Sequence, residues 1–263
     1  MTVIADARTL ISTAELPPAH AFAADEGDLG EVVFATARRQ ALVVGSDVVS
    51  FSADVEADFR QAITDSSLFA QLVALRKVGE DADPLTFFDA YLETLLKLGW
   101  IAQQRDTAEL TFDNNGLEVH EAVIGVVTSF LGPLAGPVAV AAVLAVLDGL
   151  HKMDANKPFI TLFDKRSRHG RVGRFQLTYV RNDPERGLTA EIMAFALTAD
   201  QTVTQVLFFR LHKGATTLRR SLASLSADTQ ALAALRPNLS ARMHAFRTAL
   251  IAEADLGPAP GEQ

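Results

Sequence analysis

The chain has 263 residues, of which 49% are hydrophobic and 21% charged, with a net charge of −8, 16 Gly, 10 Pro and no Cys. That composition excludes a disordered, collagen-like or disulfide-scaffold protein, a thiol enzyme and any zinc site containing Cys. An acidic chain with a pI near 5.2 also argues against nucleic acid as a partner.

The charge is unevenly placed. Residues 1–120 hold 8 Lys and Arg against 20 Asp and Glu, whereas residues 121–263 hold 16 against 12. An acidic front and a mildly basic back suggest two surfaces with different partners. The opening MTVIADARTLISTAELPP carries Asp6 and Glu15 and has no basic flank leading into an apolar run. It does not read as a secretory signal, so the expectation is a cytoplasmic protein or one exported by a signal-independent route.

Glu31–Thr36 and Ala41–Val44 are rich in β-formers and predict two strands, with Gly45-Ser46-Asp47 breaking the run before Val48–Phe51. From Ser52 the period changes to that of a helix. Val55, Phe59, Ile63, Leu68 and Leu72 predict a helix over 53–78, bent near Asp65-Ser66-Ser67. Asp83-Pro84 opens a second helix that ends at Gly99, with Asp as cap and Pro in the first turn. Residues 100–112 read as extended.

Between Glu121 and Asp148 lie 26 consecutive uncharged residues, AVIGVVTSFLGPLAGPVAVAAVLAVL. The length suffices for a membrane span, but Gly132-Pro133 and Gly136-Pro137 interrupt it. The prediction is two short helices, about 118–131 and 137–151, joined by a tight Gly/Pro turn. Such a hairpin is either a buried layer of a soluble core or a segment held in a soluble fold that later enters a membrane. Its candidate membrane-facing residues are Val123, Val126, Phe130, Val138, Val143 and Leu147.

Beyond Asn156-Lys157-Pro158 the texture is β: 159–163, 175–180, 188–197 and, strongest of all, 203–211, which has apolar residues on both faces. The intervening turns are too short for crossover helices, so the sheet should be largely antiparallel. Residues 215–224 fit either a strand or a helix. A final helix is expected over 227–254, interrupted at Pro237, with loose ends at 1–25 and 256–263.

Few residues suggest chemistry. The six His never share the i, i+4 spacing of a zinc helix, and neither a phosphate-cradling glycine loop nor a nucleophile elbow occurs, so no catalytic, metal or cofactor site is assigned. Glu80, Asp81 and Asp83 precede a helix and read as capping and dipole complementation. The run Lys165-Arg166-Ser167-Arg168-His169-Gly170-Arg171-Val172-Gly173-Arg174 packs five basic residues into ten positions, as a hairpin connection between strands. Lys165, Arg166, Arg168, Arg171 and Arg174 are the candidate contacts to an anionic lipid surface, each worth about 1 kcal/mol beside one. The competing reading is a solvated loop whose ion pairs carry little energy.

The stretch Phe175–Leu225, with the turn Arg181-Asn182-Asp183, the strand end Met193-Ala194-Phe195 and the run Val206-Leu207-Phe208-Phe209, resembles the C-terminal sheet of the cytolytic delta-endotoxin (Cyt) family. The resemblance covers about a fifth of the chain. It implies an α/β sandwich, with helices wrapping a mostly antiparallel sheet, that acts on lipid bilayers. The chain is more loosely similar to membrane-associated bacterial virulence factors of the Evf type. Lipid attachment in that group uses a Cys, which this chain lacks.

The expected architecture is a single α+β domain over 1–263. Helices pack around a mostly antiparallel sheet in an α/β/α sandwich-like arrangement, with a central Gly/Pro-broken apolar helical hairpin. The expected function is that of a non-enzymatic, membrane-associating, toxin- or virulence-factor-like protein that engages an anionic lipid membrane or a fatty acyl ligand. Self-association is left open. The alternative is a soluble binding or assembly protein, and an enzyme built from dispersed residues ranks last.

Overall fold

A computed structural model describes residues 3–22, 29, 31–110, 116–152, 158–207, 209–212 and 214–254. The elements in chain order are α1 (Val3–Thr13), β1 (Gln40–Val44), β2 (Asp47–Phe51), α2 (Ala57–Val78), α3 (Pro84–Lys97), β3 (Trp100–Leu110), α4 (Val119–Lys152), α5 (Pro158–Ser167), β4 (Arg168–His169), β5 (Val172–Asp183), β6 (Gly187–Ala199), β7 (Thr216–Ala227), α6 (Thr229–Leu250) and β8 (Ile251–Glu253). The strands form one open sheet in the order β3-β7-β6-β5-β2-β1-β8, with β4 paired to β5. Every pairing is antiparallel except β2 with β5, so the α+β expectation holds with one parallel seam.

Side chains alternate across a strand, so β5 shows which helices cover which face. Phe175 packs edge-on against Phe163 of α5, with ring centroids 5.9 Å apart. Arg174 and Thr178 point the other way, to Phe87 of α3 and to a network shared with Ser67 of α2. The sheet is thus the middle of three layers. α2 and α3 lie on one side, with α6 and α1 packed outside α2, and α5 lies on the other. β3, at the sheet edge, is exposed along most of its length, and Arg105, Asp106 and Glu109 there discourage further strand pairing.

Several expectations need correction. Residues 31–36 form no strand, because Gln40 intervenes: its Oε1 accepts from the Ala35 amide and its Nε2 donates to the Val33 carbonyl. Ala37 then turns the chain with a φ of +54°. Residues 159–163 are helical rather than extended, since Phe159, Ile160, Leu162 and Phe163 are buried at helical spacing behind an N-terminal Pro. Residues 203–211 are not a strand. Val203, Val206, Leu207, Phe209 and Leu211 are buried, but only an isolated bridge between Glu118 and Arg210 is formed, and Phe208 lies outside the described residues. Residues 215–224 resolve to strand β7. α6 runs through Pro237 without interruption and ends in the short strand β8. At the N-terminus, residues 3–13 form a helix whose Ala7 and Ile11 are buried, while 256–263 lie outside the described residues.

Helix α2 runs unbroken from Ala57 to Val78 through Asp65-Ser66-Ser67, where a bend was expected. Thr64, Asp65, Ser66 and Ser67 are all buried, and all but the Thr64 hydroxyl are hydrogen-bonded. Ser66 donates to the Ala62 carbonyl, Ser67 to Asp47, and Arg247 of α6 to Asp65. Further along, Gln71 donates to the Val44 carbonyl and accepts from the Ser46 amide. The tight β1–β2 turn fits under that amide only because residue 45 is Gly: its φ is +58°, and a Cβ there would sit 2.5 Å from Gln71 Oε1.

Candidate functional site

Helix α4 contains one break, at Gly136, with φ 78° and ψ 177°. Its first arm therefore spans 119–135, continuing through Pro133, and its second spans 137–152. Pro137 takes the first position of the second arm, where its missing donor costs nothing. The arms fold back on one another. His120 Nε2 lies 3.8 Å from Asp148 Oδ1, whereas a straight helix at about 1.5 Å per residue would separate these positions by about 42 Å. The hairpin is present as expected and its second arm begins at 137, but the first arm continues to 135 instead of ending near 131, so the turn is reduced to Gly136.

Both ends of the hairpin are fastened to the fold. At the base, the orphan amides of Val119 and His120 donate to the carbonyls of Phe209 and Leu207, which is the task the 203–211 segment performs in place of a strand. At the tip, the Arg181 guanidinium of β5 donates to the Leu134 carbonyl at 2.7 Å, one of the acceptors left over where the first arm ends. Asp183 holds Arg181 from behind at 2.5 Å. Burial pushes the Asp183 carboxyl up, but the Glu185 amide, the Arg186 guanidinium and amide and the charge of Arg181 outweigh it, so it stays well below the usual range. Arg181→Met should remove a charge-assisted bond worth about 1.5–3 kcal/mol and speed amide exchange in residues 134–141 by about tenfold or more. Exchange rates across the rest of α4 should stay unchanged.

The two faces of the hairpin differ in burial, and both are mainly apolar; on the outer face Thr128 and Ser129 are exposed, with their hydroxyls donating to the Ile124 and Val126 carbonyls of the same helix. Val123, Val126, Val127, Phe130 and Leu131 of the first arm are buried, as are Ala139, Val143, Val146 and Leu147 of the second. The opposite face carries Ile124, Gly125, Pro133, Leu134, Val140, Ala141 and Leu144, partly or fully exposed, and Val138 beside the break is 60% exposed. Of the six expected hairpin residues, five therefore face the core, and Val138 alone faces outward. A surface helix of a soluble fold ordinarily presents a polar outer face. Val119–Leu150 is long and apolar enough to cross a membrane by length and composition, but as a hairpin each arm reaches only about 25 Å against a hydrocarbon core of about 30 Å.

The basic run is divided by the structure. Lys165 and Arg166 close helix α5, so the run is not simply a strand connection. Arg168 and Arg171 flank the turn at Gly170 and are exposed, with Arg168 donating to the Thr204 carbonyl. Arg174 is buried on β5 and stacks on Phe87, its guanidinium carbon 3.6 Å from the ring centroid. The Val203 amide donates to Gly170, so the segment 203–209 links the basic turn directly to the hairpin base. The tip lies beside Arg181, toward the other end of β5, roughly 30 Å away at about 3.3 Å per residue. Sequence reasoning missed Arg181 and the 203–209 segment. Arg181 carried a faint signal as the one cation opening an otherwise acidic turn, Asn182-Asp183-Pro184-Glu185. Among the described residues no group of three or more His, Asp or Glu is placed to hold a metal.

Fold and site together define a three-layer α+β protein carrying an apolar helical hairpin that is fastened at base and tip. The solved structures similar to it include a delta-endotoxin, with 15% identity, 75% of this chain and 87% of that chain covered, and a TM-score of 0.42. The activated Cyt2Ba monomer from Bacillus thuringiensis subsp. israelensis shares 16% identity over 69% of this chain and 97% of that one, with a TM-score of 0.38. The Evf virulence factor shares 10% identity over 92% and 88% of the two chains, with a TM-score of 0.33. Both groups are ones the sequence resembles, the Cyt family through the residues of the C-terminal sheet and the Evf type more loosely. No family profile matches the chain, and no characterised relative matches its sequence.

Proposed function

We propose that this chain is a non-enzymatic, membrane-associating protein of toxin-like kind. Its apolar hairpin enters lipid, and the basic turn stays at the headgroups. The observation that supports this reading is the outward face of α4: an uncharged 26-residue run leaves Val138 at its break 60% exposed, with Leu134, Val140 and Leu144 around it only partly covered by the core. Tip-first entry accounts for the layout. The tip carries no charge, whereas Arg168 and Arg171 sit at the base end, where anionic headgroups would meet them.

The test is dye release from vesicles of neutral and of anionic lipid. Val138→Asp should leave thermal stability unchanged, because the side chain is exposed, yet cut release by roughly 70-fold, the effect of about 2.5 kcal/mol for a carboxylate in the hydrocarbon. Val126→Asp, by contrast, should unfold the protein, since it buries an unpaired charge. Arg168→Glu with Arg171→Glu should abolish the preference for anionic vesicles. Wild-type protein that neither binds vesicles nor releases dye overturns the reading, and the exposed apolar face would then belong to a protein partner.

A further inference from the structure

We propose that the free edge of β3 is an interface for a second copy of this chain, paired antiparallel about a two-fold axis at Thr107. β3 is the terminal strand of the sheet, 11 residues long, and among the described residues no strand pairs with its outer edge. Residues 101–107 are exposed, so both faces of this stretch meet solvent and a second strand has room to lie alongside. An uncovered edge of that length presents a row of unpaired N–H and C=O groups, a template for another strand. To an unrelated strand the charges of β3 are a deterrent, whereas to a second copy they are complementary in one register.

Symmetry and charge fix that register. A two-fold axis through the sheet keeps each side chain on its own face, so residues opposite one another differ in number by an even step. The strand is irregular between Ala102 and Gln104, and from Gln104 to Leu110 its pairing with β7 is continuous. An axis nearer the start of β3 would run across that bulge. Within 104–110, an axis at 105 sets Arg105 against itself, and an axis at 106 does the same with Asp106; like charges directly opposite are destabilising. An axis at 108 overlaps only 106–110 and leaves Glu109 facing Thr107. An axis at 107 overlaps the whole of 104–110 and places Arg105 of each copy opposite Glu109 of the other. Both side chains are exposed. Arg105 already stands beside Asp89 of α3, and Glu109 of the second copy joins it from the open side. Asp106, on the other face, is balanced by Arg220 of β7 at 2.8 Å and meets Ala108 of the second copy. The two Arg105–Glu109 pairs select the register more than they add affinity, since exposed ion pairs carry little energy. One strand pair is a small interface, so the expected dimer is transient, half formed at about 100 µM.

Sedimentation equilibrium of the full chain without lipid, from about 10 µM to about 1 mM, should show the mass rising from monomer toward dimer. Glu109→Arg gives a chain with cations at both positions, and Arg105→Glu gives one with carboxylates at both. Each alone should dimerise about tenfold or more weakly than wild type, whereas an equimolar mixture of the two should associate as tightly as wild type. Both positions are exposed, so each variant should melt at the wild-type temperature. The chain has no Cys, which allows the register to be read by cross-linking. Thr107→Cys, on the axis, should form a disulfide-linked dimer on mild oxidation, and Ala102→Cys, beyond the bulge and far from its copy, should not. Wild type that stays monomeric throughout, single variants that associate as wild type does, a mixture no tighter than either variant alone, or equal cross-linking at the two positions overturns the proposal. No lipid is present, so the result is independent of the vesicle experiment.

Discussion

Asp65→Ala is expected to cost about 3–5 kcal/mol of folding stability, the range for removing one member of a buried ion pair. Asp65 has no exposed surface in the middle of α2, and Arg247 of α6 donates to both its oxygens, through Nε at 2.9 Å and through a terminal nitrogen. Burial pushes the Asp65 carboxyl up, and Arg247 pulls it back only in part, so the cost lies in losing both acceptors rather than in losing the charge of Asp65. The variant leaves the Arg247 guanidinium in the α2–α6 interface with Ser240 Oγ as its other side-chain partner. The loss should appear as a lower denaturation midpoint with an unchanged denaturant slope. Asp65→Ala combined with Arg247→Met should recover much of it, since the unpaired charge is then gone. A single variant as stable as wild type would mean that Arg247 reaches solvent when Asp65 is removed.

The helices that pack by an apolar stripe were legible in the sequence. α2 and α3 follow from Val55 through Leu72 and from Leu85 through Leu96, and the Asp83 cap appears where its position before Pro84 placed it, accepting from the amides of Leu85 and Thr86. The hairpin followed from Gly and Pro spacing, but Gly132-Pro133 and Gly136-Pro137 look alike in sequence. Only Gly136 takes a positive φ, where the Arg181 bond to the Leu134 carbonyl ends the first arm. Residues 203–211 misled because continuous burial and strand pairing are separate conditions. Val203 and Leu211 are as buried as any strand residue, yet their backbone groups serve Gly170, Gly116 and Leu117, and the carbonyls of Leu207 and Phe209 between them serve the first turn of α4. Non-local partners of that kind leave no periodic trace.

The candidate site was legible in outline and not in its division of labour. The uncharged run and the basic run were both visible, but burial of Val123, Val126, Phe130, Val143 and Leu147 against exposure of Val138 is a property of rotation about the helix axis. A run apolar all round gives no sign of which face turns inward. Likewise five basic residues in ten positions look equivalent until α5 ends at Ser167 and β5 begins at Val172. Those boundaries send Arg174 to the α3 side of the sheet and leave Arg168 and Arg171 at the surface.

Asp47→Asn should reshape the pH dependence of stability. Asp47 looked like a turn residue after Gly45-Ser46, yet it opens β2 with no exposed surface, under α2. Burial raises its pKa from 3.8 to about 7, with Thr178, Ser67 and the Val48 amide restraining the rise. Tyr91 stands next to this network, donating to Ser67, and its own pKa is raised by burial and by the charge of Asp47. Between 3.8 and about 7 the native state holds a proton that the unfolded chain has released. The contribution of this group is therefore fully present below 3.8 and is lost as the pH rises to about 7, amounting to about 4 kcal/mol at most. Asn cannot ionise, so the variant should match wild type at the acid end and exceed it by up to that amount above pH 7. Asp65, Asp164 and Glu191 are also raised by burial, and they tilt wild type and variant alike. The difference between the two unfolding curves isolates Asp47. A difference that stays constant across this window would show that Asp47 remains ionised in the fold, stabilised by the hydroxyls of Thr178 and Ser67.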